Sequence, residues 1–334
     1  MVRSGGRKER QGGILLSQAL LERYAPVVHF HPLERYFPCS LDWLLSHCCL
    51  RHTRSCLRIL QPSQRDLLTH WQAYHPGGST PYLDIAASGY GGHPESAPLY
   101  VTVQEWDDCY EATYLMLYAY QGPQTAHWHW SRYPYDCLIR DFGRHQGDLE
   151  WVSLTFDKAS LQPREIGLQA HGKVRAVPWS SCPRTQDHPL VRVALHGHAC
   201  ALQGEADRVV HRRLGGLLSI CDLYSDGGKV WRPPLRLLGL NEQGEPISQE
   251  VWAKFQGRIG RPLDNHFRRL TRLDGEPVGL LPRILGRLIR LAEVRGWLPR
   301  FIRQAEGTPA LGDPGRWFNH GQKRSGNPLR QCPY

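Results

Sequence analysis

The sequence predicts a mainly β protein, an antiparallel, jelly-roll-like β-sandwich with a basic α-helical C-terminal extension. Three observations carry this expectation. The 334 residues include 25 Pro and 33 Gly spread along the whole length, so the apolar runs between them are short and bounded by turn formers. Many of those runs are rich in β-branched and aromatic residues, and no regular helical crossovers separate them. With 41% hydrophobic and 10% aromatic residues, the chain can bury a sizeable core.

The elements follow in order. Residues 1–19 read as a flexible basic tail, and Leu15 to Arg23 has the spacing of a short helix leading into the domain. Val27, Val28 and Phe30 predict a strand, Pro32 and Pro38 interrupt it, and Ser40 caps a helix through Leu41, Trp43 and Leu45. Residues 57 to 95 are polar and turn-rich and read as a long loop or insertion. Strands are then expected from Pro98 to Val103, Glu111 to Gln121, Glu150 to Asp157, Glu165 to His171 and Leu190 to Leu202. Near the C-terminus Leu281, Ile284, Leu285, Leu288 and Leu291 recur at helical spacing, with Arg283, Arg287, Arg290 and Arg295 between them. That helix, from 280 to 304, fits either an anionic membrane surface or an ordinary packed face with solvated arginines. The division is a tail to residue 19, a sandwich over 20–255 and a basic helical extension over 256–334.

The formal net charge of +10, from 41 Lys plus Arg against 31 Asp plus Glu, suits an anionic membrane surface or a polar, acidic head group. No recognition-helix, RNA-binding or zinc-finger pattern accompanies it, which disfavours nucleic acid. The opening MVRSGGRKERQGG lacks the apolar stretch of a signal peptide, and nowhere do about eighteen apolar residues run together. The ten cysteines are therefore expected as thiols, and the protein as cytoplasmic, peripheral on membranes where it meets them.

The stretch RHQGDLEW, Arg144 to Trp151, sets two carboxylates against the start of a core strand. Alternation puts Asp148, Glu150, Val152, Leu154 and Phe156 on one face. An ionised carboxylate taken from water costs several kcal/mol unless paired, hydrogen-bonded or metal-bound, so this face demands a partner. His145 reaches the same point if the chain curves at Gly147. One nitrogen and two carboxylates suit magnesium, calcium or manganese, with zinc or iron admitted by the imidazole, and Asp141 or Asp136 could add an oxygen. An ion network with Arg140, Arg144 or Lys158 is the structural alternative.

Three His-x-His pairs, His29 and His31, His127 and His129, His196 and His198, share strand faces and are either metal-site or hydrogen-bonded structural residues. Cys49, His52 and Cys56 would approach one another on a helix, where buried thiols are the favoured reading. Ser153, Ser180 and Ser181 sit in no nucleophile-elbow motif. The candidate ligand contacts are His31, His171, His196, His198 and Trp128.

Several segments together resemble the vacuolar protein sorting-associated protein 62 family. They are Tyr24 to Val28 with Phe30-His31-Pro32, Glu34, Tyr36 and Pro38-Cys39-Ser40; Pro98 to Val101; Tyr118 to Pro123; His145 to Glu150; His171-Gly172; His196 to Ala199; and Asp226-Gly227-Gly228 with Trp231. Where that family has glycine-aspartate-tryptophan-glutamate, Leu149 replaces the tryptophan and leaves both carboxylates in place. A more distant likeness is to the necrosis-inducing toxin family, whose segment of the same spacing binds a divalent metal on a β-sandwich. Carried over, that likeness implies His145, Asp148 and Glu150 as ligands; Gly147 stands where those toxins have a second histidine.

The function expected from the sequence is a divalent-metal-binding sandwich that recognises a polar or anionic ligand, such as a lipid or glycan head group, in membrane trafficking. The alternative is a metal-dependent enzyme, a hydrolase or oxygenase, using His145, Asp148 and Glu150 with His171 or His198 moving a proton.

Overall fold

The computed structural model describes residues 16–52, 58–72, 81–130, 134–171, 173–214, 216–238, 257–260, 263, 266–276, 278–280, 283, 284 and 287. The architecture is mainly β, with several largely antiparallel sheets. At its centre is a six-stranded sheet in the order Lys173–Pro178, Pro163–Ala170, His145–Asp157, Cys109–Gln121, Leu99–Glu105, Leu235–Leu237. Its two longest strands, Cys109–Gln121 and His145–Asp157, pair in continuous register from Cys109 opposite Asp157 to Gln121 opposite His145.

Both faces of this sheet are covered, which is why its two central strands are buried at nearly every position rather than at every second one. On one face Tyr114, Met116, Tyr118, Val152, Leu154, Phe156 and Ile166 pack against Val28, Val191, Val193, Leu202 and Trp231 of a second sheet. That sheet has His188–Val193 parallel to Val27–His29 and antiparallel to Cys200–Leu202. On the other face Leu115, Leu117 and Trp151 meet Leu41, Leu44 and Leu45 of a helix and Leu50, Leu83 and Ile85 of a four-stranded sheet. Each such apolar side chain contributes roughly 1.5–3 kcal/mol on full burial. Buried Tyr114 keeps its hydroxyl satisfied by donating to the Leu21 carbonyl at 3.0 Å.

A third sheet, in the order Arg208–Leu214, Leu218–Leu223, Gln124–Trp128, Tyr135–Asp141, His266–Arg272, has its own core of Ala126, Trp128, Ile139, Leu218 and Leu270. Its outermost strand Arg208–Leu214 is exposed along its length through Arg213, whereas its neighbour Leu218–Leu223 is buried throughout.

The helix at Leu41–Ser46 forms as expected, with the Ser40 hydroxyl accepting from the Trp43 N–H at 3.1 Å. Three expectations change. Residues 57 to 95 are not one loop: Arg58–Leu60, helix Gln64–Gln72 and Pro81–Ile85 lie within them, and Pro81–Ile85 pairs with Cys48–His52. Since Cys48–His52 is a strand, Cys49 and His52 point to opposite faces, which removes the helical zinc arrangement; Cys56 lies outside the described residues. The stretch 190–202 is a hairpin, because His196 and His198 take positive φ values of 61° and 57° and turn the chain between two strands.

Residues after 256 also enter the sheets, Arg258–Ile259 beside Pro81–Ile85 and His266–Arg272 beside Tyr135–Asp141. Of the expected 280–304 helix, Leu280, Arg283, Ile284 and Arg287 are helical; the remainder lies outside the described residues, as does most of the tail before residue 16. Among the described residues no helix is long and apolar enough to cross a membrane. The eight described cysteines, from Cys39 to Cys221, are buried thiols.

Candidate functional site

The carboxylates of RHQGDLEW do enter the core. Asp148 and Glu150 are 7% and 6% exposed and share the face of Val152, Leu154 and Phe156. Gly147 takes a φ of 65°, and a Cβ there would lie within 3.0 Å of Ile259, so the strand bends where only glycine fits. The bend does not bring His145 to the carboxylates. Its Nδ1 lies 2.7 Å from the Gly147 carbonyl oxygen, while Asp141 pairs with Arg144 at 3.2 Å.

Asp148 is partnered from the 194–199 turn. Its Oδ2 lies 2.9 Å from His198 Nδ1, and its Oδ1 accepts from the Leu149 N–H at 3.0 Å. His198 is fully buried, stacked on Tyr118 at 3.8 Å, with Nε2 donating to the Tyr36 carbonyl at 3.0 Å. Both ring nitrogens therefore face oxygen acceptors. Burial first, then the charges of Asp148 and Asp222, push the Glu150 carboxyl well above its usual range. The Gln169 side-chain amide abuts Glu150, its N–H donating to the Glu150 carboxyl.

A second convergence joins three elements. Asp222 Oδ2 lies 2.9 Å from His171 Nε2 and 2.7 Å from His211 Nε2, and the two nitrogens are 3.0 Å apart. Asp222 is 1% exposed at its side chain, His171 42% and His211 27%, so a buried carboxylate backs two imidazoles that reach solvent. Local backbone irregularities aim both rings. His171 occupies the turn after Pro163–Ala170 with a φ of 49°, a strained conformation of the kind that collects at functional sites. His211 sits where the register between Arg208–Leu214 and Leu218–Leu223 shifts, between Val210 and Arg212, and such a bulge redirects a side chain.

Burial would raise Asp222, but hydrogen bonds from His171 and His211 outweigh it and hold the carboxyl at about 2. For His171 burial lowers the proton affinity, yet Asp222 more than offsets this and the net direction is upward. The Tyr224 hydroxyl donates to the same Oδ2 at 3.3 Å. Among the described residues, His171, His211 and Asp222 form the one group of three such side chains able to hold a metal ion. Without an ion, the same three atoms form a hydrogen-bonded cluster, the 3.0 Å nitrogen separation itself being a hydrogen-bond distance.

The other candidates lie apart. His31, with Nδ1 accepting from the Leu33 N–H at 3.1 Å, lines a cavity of ≈ 400 Å³ with Asp136, Asp207, Arg208 and Tyr224. Asp136 is engaged by His127 at 2.7 Å and Arg208 at 2.8 Å. His196 is buried edge-on to Tyr36, its backbone N–H donating to Glu34 Oε2 at 2.7 Å. Trp128 is 1% exposed and donates to the Trp130 carbonyl at 2.9 Å; the neighbouring Trp130 is the exposed indole. His211 and Asp222 were not anticipated. The readable signal for Asp222 was a single carboxylate inside the apolar run Leu218–Leu223, the same signal that marks Asp148 and Glu150.

No protein-family model and no curated protein matches the chain, so the vacuolar protein sorting-associated protein 62 likeness rests on the quoted segments alone. Solved structures similar to this chain are necrosis and ethylene inducing proteins. One is Necrosis and Ethylene inducing Protein 2 from the causal agent of cocoa's Witches Broom disease, at 13% identity and TM-score 0.33, covering 67% of this chain and 74% of that one. NLPPya in complex with glucosamine is similar at 14% identity and TM-score 0.34, covering 70% and 75%. The non-toxic HaNLP3 protein is similar at 9% identity and TM-score 0.34, covering 70% and 80%.

Proposed function

We propose that this protein is a divalent-metal-binding β-sandwich that recognises a polar or anionic ligand, such as a lipid or glycan head group, through an ion held by His171, His211 and Asp222. The observation that carries the reading is the convergence of two imidazole nitrogens on one carboxylate oxygen, with all three separations between 2.7 and 3.0 Å. Adjacent ligand atoms on a six-coordinate ion with bonds of about 2.1 Å stand about 3 Å apart, which matches the spacing of these three donor atoms. Asp222 closes the core side, and the exposed edges of the two rings leave the opposite side to solvent. The net charge of +10 favours an anionic partner, and the sorting-family likeness of the quoted segments supplies a trafficking setting.

Elemental analysis of the purified protein tests the reading. One metal per chain, lost in His171→Ala and His211→Ala and kept in His145→Ala, is the expected result. A metal-free wild type, or a metal lost from His145→Ala alone, overturns it. Flotation with anionic vesicles, with and without a chelator, then tests the head-group ligand.

A further inference from the structure

Resting on that metal reading, we infer that the ion is an imidazole-preferring transition metal held by one triangular face of a six-coordinate shell, and that its open positions take a bidentate oxygen anion of the α-hydroxy or α-oxo carboxylate class. The first half follows from the donor set. Magnesium and calcium favour sites made of oxygens, whereas two neutral imidazoles and one carboxylate suit zinc, iron, cobalt or nickel. The carboxylates that would have favoured the hard ions are engaged elsewhere: Asp148 with His198, Asp141 with Arg144, and Glu150 buried against Gln169.

The second half follows from shape and charge. His171, His211 and Asp222 present their three atoms as a nearly equilateral triangle, with edges of 2.7, 2.9 and 3.0 Å. A triangle of this size occupies one face of an octahedron and leaves the three opposite vertices mutually adjacent. Two oxygens on neighbouring carbons span adjacent vertices, and a single chelating ligand binds there at a lower entropic cost than two separate ones. The charge selects among chelators. A divalent ion with Asp222 as its one anionic ligand is left with a net positive charge. Exposed Lys173, two residues beyond His171, adds to it. An anionic chelate is therefore favoured over a neutral diol, and a chelating carboxylate over a simple one.

Cobalt(II) titration of the full-length, chelator-treated protein tests this, because six-coordinate cobalt absorbs weakly in the visible and four-coordinate cobalt strongly. The expected result is one equivalent bound with weak bands, lost in His211→Gln and in His171→Ala and retained in His145→Ala. Glycolate should then shift the bands at a concentration at least about tenfold below that needed for acetate or ethylene glycol. Strong four-coordinate bands, displacement of cobalt by equimolar magnesium, or equal responses to glycolate and acetate would overturn the inference while leaving the metal site standing. Failure of cobalt, zinc and magnesium alike to bind would overturn both. His211 lies on an exposed strand, so its replacement tests the ligand role without disturbing the core.

Discussion

Glu150→Gln separates a buried neutral carboxyl from an ionised one. Above pH 4.5, the ordinary value for a glutamate, the unfolded chain carries Glu150 ionised, while burial and the adjacent Asp148 and Asp222 charges keep it protonated in the fold. The folded state then binds one more proton than the unfolded state. Its stability falls as pH rises, by up to about 1.4 kcal/mol per pH unit, until the folded carboxyl ionises. The amide keeps the shape of the acid and has no proton to release, so Glu150→Gln removes this slope. Between pH 5 and pH 8 the variant should gain on the wild type by up to about 4 kcal/mol, the full value applying if Glu150 stays protonated throughout. The assay is urea unfolding of both proteins at each pH, compared at equal m-value in chelator-treated samples. Taking the difference cancels His171, whose raised proton affinity gives both proteins a stabilising contribution that is complete below pH 6.5 and fades as pH rises. A wild-type-to-variant difference that is constant from pH 5 to pH 8 would refute the argument, since it would mean that Glu150 ionises in the fold as it does in the unfolded chain.

Removing either imidazole should weaken binding of a transition-metal ion by at least about 10–100-fold, the cost usual for losing even an outer hydrogen-bond partner of a ligand; calorimetric titration of His171→Ala and His211→Ala measures it. Asp148→Ala leaves the fully buried His198 without its carboxylate and should cost about 3 kcal/mol in urea unfolding, and a loss below about 1 kcal/mol would show that the pair is not an ionic one. Gly147→Ala forces an alanine into a φ of 65° with its Cβ against Ile259 and should destabilise by about 2 kcal/mol, read as a lower urea midpoint at unchanged m-value.

Much of the fold was legible because it depends on short-range patterning. Pro and Gly punctuation marked the strands, Ser40 marked a helix start, and the run from Glu150 to Phe156 declared its inward face by alternation. Residues 57 to 95 were not legible in the same way. The pairing of Pro81–Ile85 with Cys48–His52 spans a sequence gap whose polar composition reads as loop, and only the cover that this sheet provides for Leu115, Leu117 and Trp151 makes it a strand. The candidate site divides along the same line.

By itself, the sequence determined that carboxylates lie within apolar strands and must find partners, because strand parity and the cost of burying charge are local matters. Which partners they find was decided by the tertiary structure alone. His171 stands 40 residues from His211 and 51 from Asp222. Their meeting depends on a left-handed residue in one turn, a bulge in one strand and the packing of two sheets, and none of these is encoded in the spacing of any single segment. His145, three residues from Asp148, shares its strand and not its site. Nearness along a strand fixes the face on which a side chain emerges, whereas convergence from separate strands is set by register and packing.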